Sequence, residues 1–379
     1  MVRKLFLKGA KKIVAFALTA TIAAQGSVLV KAGDYTKEEI KVDISEWLSK
    51  DGYYVYPLTP KNPEWQELED YLDKLEVCKI PPEILKNLSD EQLLQAIIDY
   101  PLIYDVFFFS TLKEGTDHLA KTCDAYSELL QRDGAKEVLF NEVIRRKTVE
   151  PVSMMTQNKE NNLETVSMTA EDEIILDALV ALTVLQEKID IELSDEEAIA
   201  LADASTLVDI YDPAITISER ADVAVPMTPN GTRVYYVMYN CEHFAPAYHV
   251  TADSAIMNTY GVTLVSTGTC RYNCHSYVWH SQSTDNPYWI PDPNPYMTDG
   301  SYTRVMNGNV NTNATSVVPG DIVVYTGRSH SAILTGSVSG EPIATRTLIS
   351  KWGISGVFIH RTTQVPSDYP TDSLSVWHR

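Results

Sequence analysis

The chain changes texture once, after Asp212-Pro213, and that change limits the folds open to it. Before it, apolar residues recur at three- and four-residue steps among many acidic side chains; residues 33 to 232 hold 42 acidic and 17 basic groups. After it Gly, Asn, Thr, Tyr and Val dominate, and residues 233 to 379 hold 9 acidic and 8 basic groups. Alternating runs such as Thr232-Arg233-Val234-Tyr235-Tyr236-Val237-Met238-Tyr239 read as strands. Helices first and strands later is the order of an α+β protein. The expected division is an acidic helical region over 33–212, with a polar linker at about 147–168, and a second domain over 225–379. The acidic excess argues against nucleic acid and anionic lipid as partners, because both repel it. A solvated helical surface accounts for it, and such a block serves as a packing module or a dock for a protein or cell-surface partner.

The first 32 residues stand apart. Arg3, Lys4, Lys8, Lys11 and Lys12 precede an apolar run from Ile13 to Ala24, and small residues end at Val30-Lys31-Ala32. That is the pattern of a secretory signal peptide cleaved after Ala32. About a dozen apolar residues fall short of the roughly 20 that span a bilayer, so no stable membrane span is expected after cleavage. The expected location is secreted or extracellular, with attachment to a cell wall open.

Within the helical region, Trp65, Leu68, Tyr71, Leu72 and Leu75 share one helix face. Ser89 with Gln92 forms a capping box ahead of Leu93, Leu94, Ile97 and Ile98. The run Leu102 to Phe109 is too apolar for a surface loop, and its periodicity does not decide between helix and strand. Helices are expected at about 116–131 and 135–146, another behind the cap Thr169 to about Lys188, and a further one from Ser194 to about Asp203.

Cysteine arithmetic then directs attention to one stretch. Cys78, Cys123, Cys241, Cys270 and Cys274 are five, and an odd count in an exported protein leaves at least one thiol unpaired. Pairings of Cys78 with Cys123 and of Cys241 with Cys270 are open, and a bond between Cys270 and Cys274 would disarm the latter. Cys270, Cys274 and His275 lack the second pair that a closed tetrahedral metal site uses, so no metal or other cofactor is expected. Cys274 follows a turn-rich lead-in, Ser266-Thr267-Gly268-Thr269, and precedes Tyr277, Val278 and Trp279, which can start a buried helix. A thiol on a first helical turn faces the positive end of the dipole, which lowers its pKa and favours the nucleophilic thiolate.

Two runs downstream complete a pattern. Val318-Pro319-Gly320-Asp321-Ile322-Val323-Val324-Tyr325 reads as a turn feeding a buried strand, and Ser329-His330-Ser331-Ala332-Ile333-Leu334 puts a histidine at the start of the next. Residues 270 to 360 with these runs resemble the NlpC-type and CHAP-type cell-wall cysteine peptidases and amidases. The resemblance implies a papain-like (NlpC-like) α+β domain, with a nucleophile helix packed on an antiparallel sheet. It implies amide hydrolysis, commonly of peptidoglycan peptides, in which Cys274 attacks the carbonyl and His330 holds the thiolate as an ion pair and protonates the leaving amine. A third group on the strand after the histidine strand maps to Arg346–Gly353, with Ser350 the first choice and Lys351 the alternative. His275 and His280 point away from the thiol at their helical offsets, and His360 sits on a later strand. The family usually reads Asp-Cys-Ser-Gly at the nucleophile, where this chain has Asn273-Cys274-His275-Ser276. The long segment Ser281 to Thr315 is a candidate substrate-facing loop. Two other readings keep the same fold: a non-catalytic secreted binding module and a thioester-forming acyltransferase.

Overall fold

Side chains that close on their own first turn start two helices of the N-terminal block. Ser89 accepts from the Gln92 N–H while Gln92 reaches back to the Ser89 N–H, opening Asp90–Ile98. Thr111 and Glu114 do the same for Leu112–Thr122. Each cap is worth about 1 kcal/mol, because it satisfies N–H groups that the helix cannot. A computed structural model describes residues 47–148, 169–184, 225–239 and 246–379, apart from 314, 326, 328, 337–339 and 367–372. The export signal, most of the linker, the helix expected from Ser194 and Cys241 lie outside the described residues.

The run expected as one helix from Trp65 is two pieces, a 3-10 turn Pro63–Glu67 and a helix Tyr71–Val77, with Leu68 extended between them. Separate anchors pull the pieces apart. The Trp65 indole donates to the Thr259 carbonyl (2.7 Å), whereas the Tyr71 hydroxyl donates to Asp105 (2.6 Å). Leu72 is consequently left in solvent. The helix expected over 116–131 is likewise divided, into Leu112–Thr122 and Asp124–Leu129, by an extended Cys123. The apolar run after Tyr100 is a 3-10 helix, Ile103–Phe107, with every residue buried. Gly115 lets Leu112–Thr122 lie directly on it, since a methyl group there would overlap the Val106 carbonyl. Pro82–Leu85, Ala135–Thr148 and Ala170–Val184 complete the described helices of this block. Among the described residues no helix is long and apolar enough to cross a membrane.

The C-terminal half is a mixed helix-and-sheet structure. Its strands are β1 Thr263–Ser266, β2 Thr303–Gly308, β3 Ile322–Tyr325, β4 Ser331–Leu334, β5 Thr347–Lys351, β6 Val357–Arg361 and β7 Leu374–His378. They form one sheet in the order β1-β6-β5-β4-β3-β7-β2, with every neighbouring pair antiparallel. The run Thr232–Tyr239, expected as a strand, makes only isolated bridges, Met227 with Arg233 and Val237 with Trp289. Its Val234, Tyr236 and Met238 serve instead as packing for the aromatic core around Tyr277 and Trp279.

The pleat gives this sheet two unlike faces. From the register, Ile322, Val324, Ser331, Ile333, Ile349, Lys351 and Val357 share one face. Tyr277, Val278 and Trp279 of the helical segment that follows Asn273 pack against that face. Val323, Tyr325, Ala332, Leu348, Ser350, Phe358 and His360 share the other. The second face is covered near Trp352 by the N-terminal block and by the helix Pro246–Tyr260: Phe108 and Tyr260 set their rings 5.1 and 5.3 Å from Trp352. Burying aromatic groups of this size contributes about 2–3 kcal/mol each, which makes this contact a substantial part of the core. Asp105, fully buried, accepts from the hydroxyls of Tyr71 and Tyr260 and contacts His118, so the N-terminal helices and the helix Pro246–Tyr260 are joined by polar bonds as well. All described residues belong to one compact unit, Val42–Arg379.

Candidate active site

Three polar anchors hold the loop that leads into Cys274. The Asp253 carboxylate accepts from the N–H groups of Gly268 (2.8 Å) and Gly356 (2.7 Å). The Lys351 ammonium donates to the carbonyls of Thr269 (2.8 Å) and Gly353 (2.7 Å). Asn273 caps the next helical turn: its Oδ1 accepts from the Ser276 N–H (3.1 Å) and the Ile290 N–H (3.2 Å), and its Nδ2 donates to the Ile290 carbonyl (2.8 Å). Cys270 is disulfide-bonded. Cys78, Cys123 and Cys274 are free thiols, so neither the Cys78–Cys123 nor the Cys270–Cys274 pairing forms.

Cys274 is the first helical residue, and the turn that follows, Ser276–His280, is a π-helix. The residues that depart from the family's nucleophile motif have structural work. His275 Nδ1 lies 2.9 Å from Ser331 Oγ, which also accepts from the Trp279 indole (3.0 Å); together they tie the helix to β4. Ser276 Oγ accepts from Asn286 Nδ2 (2.9 Å), tying it to the long following segment.

The β4–β5 pairing runs through Leu334 with Leu348 and Ile333 with Ile349, and the same register continued would set Ala332 beside Ser350 and then Ser331 beside Lys351. The Ser331 N–H is directed at the Cys274 sulfur, as are the N–H groups of His275 and Cys274 itself. These donors and the nearby Lys351 favour the thiolate. Burial opposes them and wins, pushing the thiol up to about 12, so the lowering expected from the helix start is overturned. A short π-turn offers little dipole, and Cys274 is only 2% exposed. Lys351, completely buried on the same face and 5.4 Å from the Tyr272 ring centre, is lowered to about 7 by burial, with Asp253 and Cys274 opposing.

His330 and Ser350 meet on the other face. His330 Nε2 is 2.9 Å from Ser350 Oγ, which is 2.7 Å from His360 Nε2 and accepts from the Trp352 indole (3.1 Å). His360 Nδ1 faces the Arg361 carbonyl at 2.9 Å. Burial holds both imidazoles in the neutral form: His360 is lowered to about 4, and His330 falls well below the ordinary histidine value, with His360 and His275 adding to the effect. Thiol and imidazole therefore both rest neutral, on opposite faces of the sheet, and the expected Cys274–His330 ion pair does not form.

The nominated residues thus fall into two groups on opposite faces of the sheet, with Ser350 and Lys351 of β5 one in each. Cys274 and Lys351 lie on the helix face, and His330 and Ser350 lie on the face toward the N-terminal helices. The Ser331 amide is the link, its N–H on the sulfur and its side chain bonded to His275 and Trp279 of the helical segment that starts at Cys274. Sequence reasoning passed over Asp253 and kept His360 in reserve. Asn273 was also passed over as a cap, although Asn is a favoured residue type directly before a helix start. Asp253 carried no local signal, because its partners lie 15 and 103 residues away in the chain. A cavity of about 380 Å³ opens beside His360, lined also by Gln66, Glu69, Lys74, Tyr260 and Arg361; Cys274 does not line it. Among the described residues no group of three or more His, Cys, Asp or Glu side chains is placed to hold a metal ion. No family model, no curated protein and no solved structure matches this chain.

Proposed function

We propose that the chain is an exported cysteine hydrolase of papain-like type that cuts amide bonds in peptides, peptidoglycan peptides first among them. One observation carries the reading: a free thiol at a helix start, next to a disulfide-bonded cysteine, has its sulfur on the N–H of the residue after a histidine that is itself bonded to a polar third group. In the reaction substrate binding has to bring the thiol and His330 together from their opposite faces of the sheet, and the Cys274 S–H then gives its proton to His330 as sulfur attacks the carbonyl carbon. The tetrahedral oxyanion takes hydrogen bonds from main-chain N–H groups at the helix start, each worth on the order of 3 kcal/mol of barrier. The imidazolium then protonates the amine, which leaves. Water, deprotonated by His330, cleaves the thioester to release the acid and restore the thiol. Because free thiol and imidazole rest neutral, substrate binding has to open the site and drive the proton transfer.

Replacing Cys274 by Ala or Ser abolishes hydrolysis of isolated cell-wall fragments, with the far-UV spectrum unchanged; undiminished hydrolysis refutes the assignment. Analysis of products in the presence of added amines separates hydrolysis from acyl transfer through the same thioester.

The burial of Cys274 favours a second reading, a secreted binding module that retains the fold. Iodoacetamide labelling of the folded, non-reduced protein near neutral pH separates the two. A hydrolase labels at Cys274 faster once cell-wall fragments are added, and a binding module stays unreactive with and without them.

A further inference from the structure

The protons of the second-face network follow from counting donors and acceptors. A carbonyl oxygen only accepts, so His360 Nδ1, 2.9 Å from the Arg361 carbonyl, carries a hydrogen. A neutral His360 then has a bare Nε2, and the Ser350 hydroxyl 2.7 Å away donates to it. That uses the one hydrogen Ser350 owns. Its oxygen already accepts from the Trp352 indole, which only donates. The remaining neighbour, His330 Nε2 at 2.9 Å, must therefore donate to Ser350. Each bond excludes the alternative at the next, and the chain ends on a neutral His330 whose lone pair is on Nδ1, the ring nitrogen nearer the main chain.

We propose that His360 is a positioning residue which, through Ser350 and against the fixed Arg361 carbonyl, locks His330 in the tautomer with hydrogen on Nε2 and the lone pair on Nδ1. The catalytic meaning rests on the hydrolase reading: a histidine that is to take a thiol proton needs a bare nitrogen, and fixing which nitrogen is bare removes a wrong tautomer from the resting population. The second-face location fits the assignment. Tyr325, His330, Ser350, Trp352 and His360 are all buried, so water does not compete for these bonds. His360 also lines the cavity bounded by Glu69, Lys74 and Arg361, which puts the start of the relay close to the helical block and its end at the root of β4. Trp352 holds the second lone pair of Ser350, and without it the hydroxyl could turn and reverse the order of donation.

The direct test is long-range proton–nitrogen correlation spectroscopy of the histidine rings in the full chain, labelled with nitrogen-15, at neutral pH. The expected pattern is an Nε2–H ring for His330 and an Nδ1–H ring for His360. His360→Leu should leave His330 as a mixture of tautomers, and His360→Gln, whose side-chain carbonyl can accept from Ser350, should restore the Nε2–H form. In hydrolysis the leucine variant should lose on the order of tenfold in kcat with little change in KM, and the glutamine variant should recover most of that loss. An Nδ1–H ring for His330 in the unmodified protein, or a His330 ring unaffected by His360→Leu, overturns the proposal. If the leucine variant does not fold, the ring assignment in the unmodified protein and the response to Ser350→Ala decide the matter in the same way. The spectra are independent of turnover, so an inactive protein with the assigned tautomers refutes the hydrolase reading and leaves this one standing.

Discussion

Replacing Lys351 by Met measures how dry the thiol side of the sheet is. Methionine keeps the unbranched stem and most of the volume and deletes the amine. That amine has an ordinary value of 10.5 and falls to about 7 in the folded chain, chiefly through burial; the gap corresponds to about 5 kcal/mol. Because the folded value lies below the unfolded one, the unfolded chain holds a proton between pH 7 and 10.5 that the folded chain has released, and stability rises with pH across that window. The gain between pH 7 and pH 9 is about 2 kcal/mol, and little further change is left above the unfolded value. Deleting the amine also removes the donor to the Thr269 and Gly353 carbonyls, at about 1–3 kcal/mol each. At pH 7 the two effects nearly cancel, so absolute stability decides little. The slope decides. Urea unfolding of both proteins without reductant at pH 7, 8 and 9 should show the unmodified chain gaining about 2 kcal/mol on Lys351→Met. The difference between proteins matters because the buried thiols titrate in the same range with the opposite sign. Parallel stability curves would refute a buried, neutralised lysine beside Cys274.

Two further substitutions probe the contact between the helical block and the C-terminal half. Gly353→Ala puts a methyl group into the Phe107 carbonyl at a residue with φ of +48°, and should cost about 3 kcal/mol or more, read as a drop in melting temperature. Asp105→Asn gives an amide where the Tyr71 and Tyr260 hydroxyls both donate, and should cost about 3 kcal/mol in urea unfolding; an unchanged midpoint would show that the buried carboxylate is not what joins these elements.

The capping box at Ser89 and strands β3 and β4 were legible because local rules set them, whereas the box at Thr111, which opens its helix ahead of the expected start, was passed over. Ser89 acts within four residues, Gly320 turns the chain with φ of +94°, and the apolar runs after it are short and bounded. The break at Leu68 was not legible, since distant anchors impose it: Thr259 holds Trp65, and Asp105 holds Tyr71. The same limit applies to Thr232–Tyr239, where alternation is present but the sheet offers the run no strand to pair with beyond one bridge to Trp289.

At the candidate site, residue types were legible and their sides of the sheet were not. Ser350 and Lys351 are adjacent, so sequence offered them as rivals for one role; the pleat sends them to opposite faces and gives them different roles. Ser350 goes to His330 and His360. Lys351 goes to the loop before Cys274. A histidine ahead of a strand also has a face, and here His330 takes the one covered by Phe108 and Tyr260 through Trp352. Composition draws a boundary near residue 225 because it counts residues along the chain. Packing follows surfaces, and the N-terminal helices form the wall behind the imidazole network. Any change that loosens those helices from Trp352 should admit water to Ser350, and water there competes for the donor and acceptor that fix His330.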